Sequence, residues 1–156
     1  MEQFDFEIRQ AKLSGNKSYN TLRRDKAMYM VALLTGVRVD ELVNLKINSF
    51  QPDLKYPNFG NYALLTVVGK GRKTRVVRLY NPLIKPLMDE WYLDDVRPGF
   101  LSKRTDDSNL LFLSERGGEI CTEQVRRMLQ NIASNAGITI RVRYSPKTGP
   151  GIRVVK

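Results

Sequence analysis

The chain is organised around residues 34–45, which read Leu-Thr-Gly-Val-Arg-Val-Asp-Glu-Leu-Val-Asn-Leu. Gly36 separates two apolar patterns with helical spacing, so we expect one helix to end there and another to begin near Val39. Arg38 lies at this junction, and a charge between two packed helices is costly unless an anion meets it. The stretch therefore predicts an anion-binding turn built around Arg38.

A second basic segment, residues 68–75, reads Val-Gly-Lys-Gly-Arg-Lys-Thr-Arg. The flanking runs, Tyr62–Val68 and Thr74–Leu79, are rich in β-branched and aromatic residues, and the glycines between them suit a turn. These features predict an antiparallel hairpin. Its tip would carry four cations: Lys70, Arg72, Lys73 and Arg75.

The composition favours a compact basic domain. The chain has 156 residues, and its 26 Lys and Arg against 16 Asp and Glu give a formal charge of +10. That balance indicates a polyanionic partner such as nucleic acid. No apolar run approaches the roughly 18 residues that a membrane span needs, and no signal-peptide pattern begins at Met1. We expect a soluble cytoplasmic protein with no membrane partner.

The titratable residues exclude several kinds of chemistry. The chain contains no histidine and one cysteine, Cys121. Ser-His and Cys-His catalysis and a zinc cluster are therefore excluded, and we expect no metal and no cofactor. A lone cysteine just before a helical pattern is most often a small buried hydrophobic residue, and we expect Cys121 to be one. Any reaction would use Arg, Lys, carboxylates, Tyr or a partner chain.

The remaining pattern predicts an α+β fold that is mainly α-helical, with a small antiparallel β-sheet. Helices are expected over residues 1–16, from Thr21 as cap to Gly36, from Val39 to Ile47, after Pro82 with a true start two or three residues later, and from Thr122 as cap to Gly137. Residues 48–60 and 94–109 are expected to be loops, and residues 110–113 a short buried strand. Two β-branched runs, 138–142 and 152–155, could form a ribbon.

Taken in order, these segments resemble the catalytic domain of the tyrosine recombinases, the phage-integrase family. The resemblance covers about residues 20–138. It rests on five pieces in register: Thr35–Arg38, Glu41–Leu45, Gly69–Val77, residues 111–113 with Gly117-Gly118, and the helix that ends at Ala136-Gly137-Ile138. Each piece alone is a weak motif, and the signal comes from their shared order.

The resemblance implies that the protein breaks and rejoins double-stranded DNA through a 3′-phosphotyrosyl intermediate, without metal or nucleotide. Arg38 would be the first of two arginines that bind the scissile phosphate, a task that suits a planar guanidinium. Lys70 would protonate the departing 5′ oxygen, with Lys73 as the rival assignment. Glu41 would orient the guanidinium of Arg38, or it would be an ordinary carboxylate in the first turn of a helix.

The other cations would contact the DNA backbone. Phosphate contacts of this kind are independent of sequence and sensitive to salt. The candidates are Arg72, Lys73 and Arg75 in the hairpin, Arg126 and Arg127 in the last predicted helix, and Lys103, Arg104 and Arg116.

The family pattern also requires residues that this sequence does not show. A box beginning His-x-x-Arg or Lys-x-x-Arg should follow, then His or Trp, then the nucleophilic tyrosine. Lys147 resembles the opening of that box, but Gly149-Pro150 stands where Leu-Arg is expected. Tyr80, Tyr92 and Tyr144 lie upstream of the nucleophile position, so we expect them to be packing or surface residues.

We therefore expect residues 1–156 to be a single partial catalytic domain that lacks the N-terminal DNA-clamping domain and the C-terminal nucleophile segment. Such a chain would be inactive alone and monomeric, whereas full-length recombinases act as tetramers on DNA. The alternative is a non-catalytic DNA-binding module on the same scaffold. A basic RNA-binding or ribosomal protein would rest on charge alone and would give Arg38 no special role.

Overall fold

The structure is a computed structural model that describes residues 1–103 and 109–137, together with the backbone of two strands at 141–145 and 149–153. Most of the described chain is helical, as predicted. The helices are α1 (Glu2–Leu13), α2 (Tyr19–Thr35), α3 (Val39–Val43), α4 (Ile84–Pro86, continued by a π-helical segment Leu87–Leu93), α5 (Val96–Leu101) and α6 (Thr122–Asn135).

A three-stranded antiparallel sheet lies beside these helices. Its strands are β1 (Phe50–Gln51), β2 (Leu64–Val68) and β3 (Thr74–Arg78), in the order β1-β2-β3. The β2–β3 hairpin pairs Leu64 with Arg78 at one end and Val68 with Thr74 at the other, and it confirms the predicted hairpin. Strand β1 was not predicted: Phe50 is buried and pairs with Leu65, inside a segment whose turn residues indicated only a loop.

One hydrophobic core joins the helices to the sheet. Its residues come from α2, α3, the inward face of β2, α4, α5 and the segment 111–113, and the largest fully buried side chains include Tyr92, Phe112, Met28, Leu42 and Leu65. Strand β2 contributes to the core through the alternation of its side chains: Leu65 and Val67 are buried, while Val68 is exposed. The strand that carries the hairpin is thereby held from its inner face.

Helix α2 runs into the turn that carries Arg38. It begins at Tyr19 rather than at Thr21, and it ends where Gly36 adopts a left-handed conformation with φ of 63° and donates its N–H to the carbonyl of Ala32. Glycine takes this conformation without the steric cost that a Cβ imposes. The predicted helix end is therefore confirmed.

Helix α3 is shorter than predicted. It ends at Val43, not at Ile47, and the chain then turns so that Lys46 forms a single β-bridge with Leu110. Residues 110–113 are accordingly no regular strand, although Leu111, Phe112 and Leu113 are fully buried as expected. These side chains therefore pack in the core, although the segment does not form the regular strand that its apolar run predicted.

The segment 94–109 contains a helix where the sequence indicated a loop. Helix α5 buries Val96 and Phe100, and Pro98 occupies its third position. Proline is tolerated there because the first N–H groups of a helix have no partner inside the helix. The prediction for α4 was right: the helix begins at Ile84, two residues after Pro82.

Cys121 is exposed, so the expectation of a buried hydrophobic residue was wrong. It is the N-cap of α6, and its backbone N–H donates to the side chain of Gln124, so Thr122 is the first helical residue rather than the cap. A cap position faces the helix end instead of the core, which explains its exposure. Ala136 is also exposed, while Gly137 has the expected positive φ of 71°.

The tail forms a ribbon, but its strands overlap the two predicted runs, 138–142 and 152–155, only at residues 141–142 and 152–153. Strands β4 (Arg141–Ser145) and β5 (Gly149–Arg153) pair antiparallel, with Arg143 opposite Gly151. Lys147 and Arg104, both named in the sequence analysis, lie outside the described residues.

Candidate functional site

The Arg38 turn, meaning residues 36–38, presents one exposed guanidinium. Val37 is buried and fixes the turn to the core, whereas Arg38 is the N-cap of α3 with an extended backbone and an exposed side chain. Within residues 1–103 and 109–137 the guanidinium makes no ion pair or hydrogen bond. It is therefore available to an anion.

Glu41 lies one turn further along and is buried, with a side chain 4% exposed. Its Oε2 accepts the backbone N–H of Arg38 at 2.8 Å. Its two oxygens also accept the guanidinium of Arg75, at 2.5 Å from Nη1 and 2.7 Å from Nη2. The sequence suggested that Glu41 would orient the guanidinium of Arg38, but the guanidinium it binds is that of Arg75, 34 residues away.

These contacts keep the Glu41 carboxylate ionised. The hydrogen bonds from Arg75 and then from the backbone of Arg38 outweigh burial and lower the pKa of Glu41 from 4.5 to about 2. A charge-assisted bidentate pair is among the stronger contacts that a carboxylate can form. Glu41 is thus a fixed anion that two separate parts of the chain share.

The hairpin leaves the sheet beside Glu41. At its neck, meaning Gly69 and Lys73, the N–H of Gly69 donates to the carbonyl of Lys73 at 2.8 Å. A Cβ on Gly69 would lie 3.0 Å from Oε1 of Glu41, so the neck and the carboxylate approach closely. The tip turns through left-handed conformations at Gly71 and Arg72, with φ of 74° and 58°. Lys70, Arg72 and Lys73 are all exposed there.

Helix α6 adds a basic surface near α3. Arg126 is half-buried, lies 3.9 Å from Asp40 of α3 and 3.8 Å from Glu123, and donates to Thr122. Arg127 is exposed. The structure therefore brings Arg38, Glu41, Arg75 and the hairpin neck together, and it connects Arg126 to the same helix through Asp40.

The model of the phage integrase family matches residues 12–149, most of the chain. The chain belongs to the phage integrase family. Among curated relatives, a tyrosine recombinase XerC from Leptospira interrogans serogroup Icterohaemorrhagiae serovar copenhageni is 35% identical over 124 residues, which are 80% of this chain and 35% of the relative. A tyrosine recombinase XerD from Chlorobaculum tepidum is 33% identical over 129 residues, 82% of this chain and 38% of the relative. The chain thus spans little more than a third of the length of these relatives.

Solved structures share the fold. The XerH site-specific recombinase bound to difH substrate, in a pre-cleavage complex, superposes with a TM-score of 0.62 at 22% identity, over 95% of this chain and 37% of that one. The XerA recombinase superposes with a TM-score of 0.54 at 27% identity, over 88% of this chain and 42% of that one. These likenesses confirm the predicted α+β class.

Two of the three tyrosines upstream of the expected nucleophile position, Tyr80 and Tyr92, have side chains that the structure describes. The hydroxyl of Tyr92 is buried and accepts the backbone N–H of Leu113 at 3.2 Å, and burial raises the pKa of Tyr92 to about 12. Tyr80 donates its hydroxyl to Asp53 at 2.7 Å, and this bond raises its pKa as well. Each of these two hydroxyls therefore has a hydrogen-bond partner within the protein.

Three arginines are structural, which the sequence analysis missed. Arg23 and Arg24 lie on the inward side of α2, where Arg23 pairs with Asp95 at 2.5 Å and Arg24 with Asp25 at 2.6 Å. Arg97 donates to the carbonyl of Leu110. Their spacing of three or four residues from Ala27 was a signal that Arg23 and Arg24 share its buried face. The net charge therefore overstates the positive charge that is exposed to a partner.

Lys103 and Arg116, also candidates for DNA contacts, have surroundings of their own. Lys103 donates to the carbonyl of Glu115 at 2.7 Å, and exposed Arg116 lines a polar groove with Arg24 and Gln124. In the part of the chain that the structure describes, no group of three or more His, Cys, Asp or Glu could hold a metal ion. Over those same residues, no helix is long and apolar enough to cross a membrane.

Proposed function

We propose that this chain supplies the Arg38 and Lys70 part of a tyrosine recombinase active site, which breaks and rejoins double-stranded DNA at specific sites. The observation that carries the proposal is the Glu41 carboxylate, which binds the Arg38 turn and lies against the neck of the Lys70 hairpin. Membership of the phage integrase family and likeness to recombinases named XerC and XerD support this class of reaction.

Arg38 binds the scissile phosphate in this proposal. Its exposed guanidinium can donate two parallel hydrogen bonds to the non-bridging oxygens. Charge grows on those oxygens as the phosphorus becomes five-coordinate, so donors that are already in place stabilise the transition state more than the ground state. The buried contact between Glu41 and the Arg38 backbone holds the turn that aims this guanidinium.

Lys70 is the proposed general acid. When a tyrosine oxygen attacks phosphorus, a phosphotyrosyl bond forms, the bond from phosphorus to the 5′ oxygen breaks, and the ammonium of Lys70 gives a proton to that oxygen. The exposed tip lets the lysine reach into a groove of DNA, where its ammonium can come within hydrogen-bond distance of the departing oxygen. Lys73 remains the rival for this role.

The nucleophile in this proposal is none of the tyrosines that the structure describes. Residues 1–156 would be one partial catalytic domain that is monomeric in solution and forms no covalent DNA adduct by itself. A suicide duplex, in which cleavage releases a short strand and traps the adduct, tests this directly. A phosphotyrosyl band from the 156-residue chain would contradict it.

Arg38→Ala tests the catalytic assignment in a longer recombinase that contains this chain. We expect the cleavage rate on a saturating suicide duplex to fall by about 10²–10³, the usual cost of removing one oxyanion donor, with affinity mostly intact. The control is Arg127→Ala, which changes an exposed arginine of α6 and should weaken binding without slowing cleavage at saturation.

The second candidate function is a non-catalytic DNA-binding module. The exposed basic tip of the hairpin would then contact phosphates only. Under this alternative, Arg38→Ala and Arg127→Ala would weaken DNA binding to a similar extent. The longer protein that contains this chain would cleave no DNA, even without a substitution.

A further inference from the structure

Arg75 differs from the other hairpin cations in its contacts. It lies on β3 opposite Val67, and its side chain is 44% exposed, yet both of its terminal nitrogens are bound to Glu41. Lys70, Arg72 and Lys73 are exposed around the tip. The sequence assigned all four cations to DNA, but the structure gives Arg75 a carboxylate partner inside the protein.

The pair is well placed to hold the hairpin. Glu41 is 4% exposed and also accepts the backbone N–H of Arg38, so the carboxylate cannot turn away without breaking a second contact. Both oxygens meet the guanidinium in the parallel arrangement that fixes geometry as well as charge. Arg75 is therefore joined to the first turn of α3 through a buried anion.

Gly69 is the residue of the hairpin neck that lies against the Glu41–Arg75 pair. The position of a Cβ on Gly69 lies 3.0 Å from Oε1 of Glu41 and 3.8 Å from Nη1 of Arg75, so the pair sits directly against the neck. Lys70 is the next residue. A shift of the pair would therefore move the start of the tip relative to the Arg38 turn.

We propose that Arg75 is a positioning residue, which through Glu41 holds the neck of the Lys70 hairpin against the Arg38 turn, and that it is not a DNA phosphate contact. Its meaning for catalysis rests on the proposed function, whereas its mechanical role does not. A guanidinium already neutralised by a carboxylate releases few counterions from DNA. The tip cations carry that part of the binding instead.

Amide hydrogen exchange in the 156-residue chain without DNA tests the mechanical role. Arg75→Ala should raise exchange at Arg38, whose N–H binds Glu41, and at Gly69 by about tenfold or more, because the neck opens locally. Glu41→Gln should do the same, and the double variant should be no worse than either single one. Arg75→Lys keeps a charge but loses the fork, so it should restore part of the protection.

The control is Arg78→Ala, which removes an exposed arginine from the same strand. It should leave exchange at Arg38 and Gly69 within about threefold of wild type. Circular dichroism on each variant separates local opening from loss of the fold. Equal exchange in wild type and Arg75→Ala would overturn the proposal, and so would additive effects of Arg75→Ala and Glu41→Gln.

Binding to duplex DNA at several salt concentrations tests the second part of the proposal, that Arg75 is not a DNA phosphate contact. Arg72→Ala should reduce the slope of log K against log salt by about 1, the value for one lost phosphate contact. Arg75→Ala should leave that slope unchanged, and a reduction equal to that of Arg72→Ala would overturn the proposal. If wild type fails to bind duplex DNA, the proposed function fails while the exchange experiment still decides the role of Arg75.

Discussion

Glu41 is the residue that turns separate motifs into one site. Three groups meet there: the backbone of Arg38, the guanidinium of Arg75 and the backbone at Gly69. The sequence indicated Arg38 and Lys70 as candidates because each stands in a short local motif. It could not pair Glu41 with Arg75, because residues 34 apart have no periodicity that links them. Sequence spacing instead suggested the nearer Arg38, which Glu41 contacts through the backbone.

The pH dependence of Glu41 gives a prediction at the same scale. Its pKa falls from an ordinary value of 4.5 to about 2 in the folded state, so the pair stabilises the fold fully above about pH 4.5. This stabilisation is lost as the pH falls towards 2, because the folded protein must then protonate the carboxylate. We expect the difference in unfolding free energy between wild type and Glu41→Gln to shrink as the pH falls from 6 towards 2.

Urea denaturation at a series of pH values measures that difference, and subtracting the variant removes the titration of the other carboxylates. Asp40→Asn is a suitable control, because Asp40 is an exposed carboxylate in the same first turn with only a 3.9 Å contact to Arg126. A Glu41→Gln difference that stays constant with pH would mean that Glu41 is not held as described.

Among the elements, the sequence predicted those whose pattern extends over many residues and missed two short ones, α5 and β1. Helix α2 and the β2–β3 hairpin were found because the apolar spacing of one and the alternation of the other extend over many residues. Helix α5 was missed because Pro98 and Gly99 read as loop chemistry, and β1 because two residues have no period. Burial of Phe100 in the core stabilises α5, and burial of Phe50 stabilises β1, although local propensity favours neither element.

The hairpin itself offers a matched pair of glycine substitutions. Gly69→Ala places a methyl group 3.0 Å from Oε1 of Glu41, at a φ of −97° that any residue can adopt, so its effect comes from contact. Gly71→Ala meets nothing within 4 Å but has a φ of 74°, so its effect is backbone strain alone. We expect Gly69→Ala to raise amide exchange at Arg38, and Gly71→Ala to leave it unchanged.

Hydrogen exchange read by NMR separates these outcomes residue by residue. Faster exchange at Arg38 in both variants would indicate that the whole hairpin, rather than its neck, sets the position of the turn. No change in either would remove the contact between the neck and Glu41 from the description of the site.

At the scale of the whole molecule, the fold separates two kinds of cation. Arg23, Arg24 and Arg97 are buried and bound to the protein, whereas Arg38 and the hairpin tip are exposed. Composition alone cannot make this distinction, because a formal charge of +10 counts every arginine equally. The basic composition therefore predicted a polyanionic partner such as nucleic acid, and the three-dimensional arrangement shows which of the cations are exposed.

In the proposed function, DNA phosphates contact the Arg38 turn and the hairpin tip. The most direct measurement is NMR of the isotopically labelled 156-residue chain during titration with duplex DNA, observing backbone amides and arginine Nε–H groups. We predict that the signals of Arg38, Lys70 and Arg72 shift, while those of Arg24 and Arg97 do not. Shifts centred on Lys103 and Arg116, with Arg38 and Lys70 unaffected, would contradict the account.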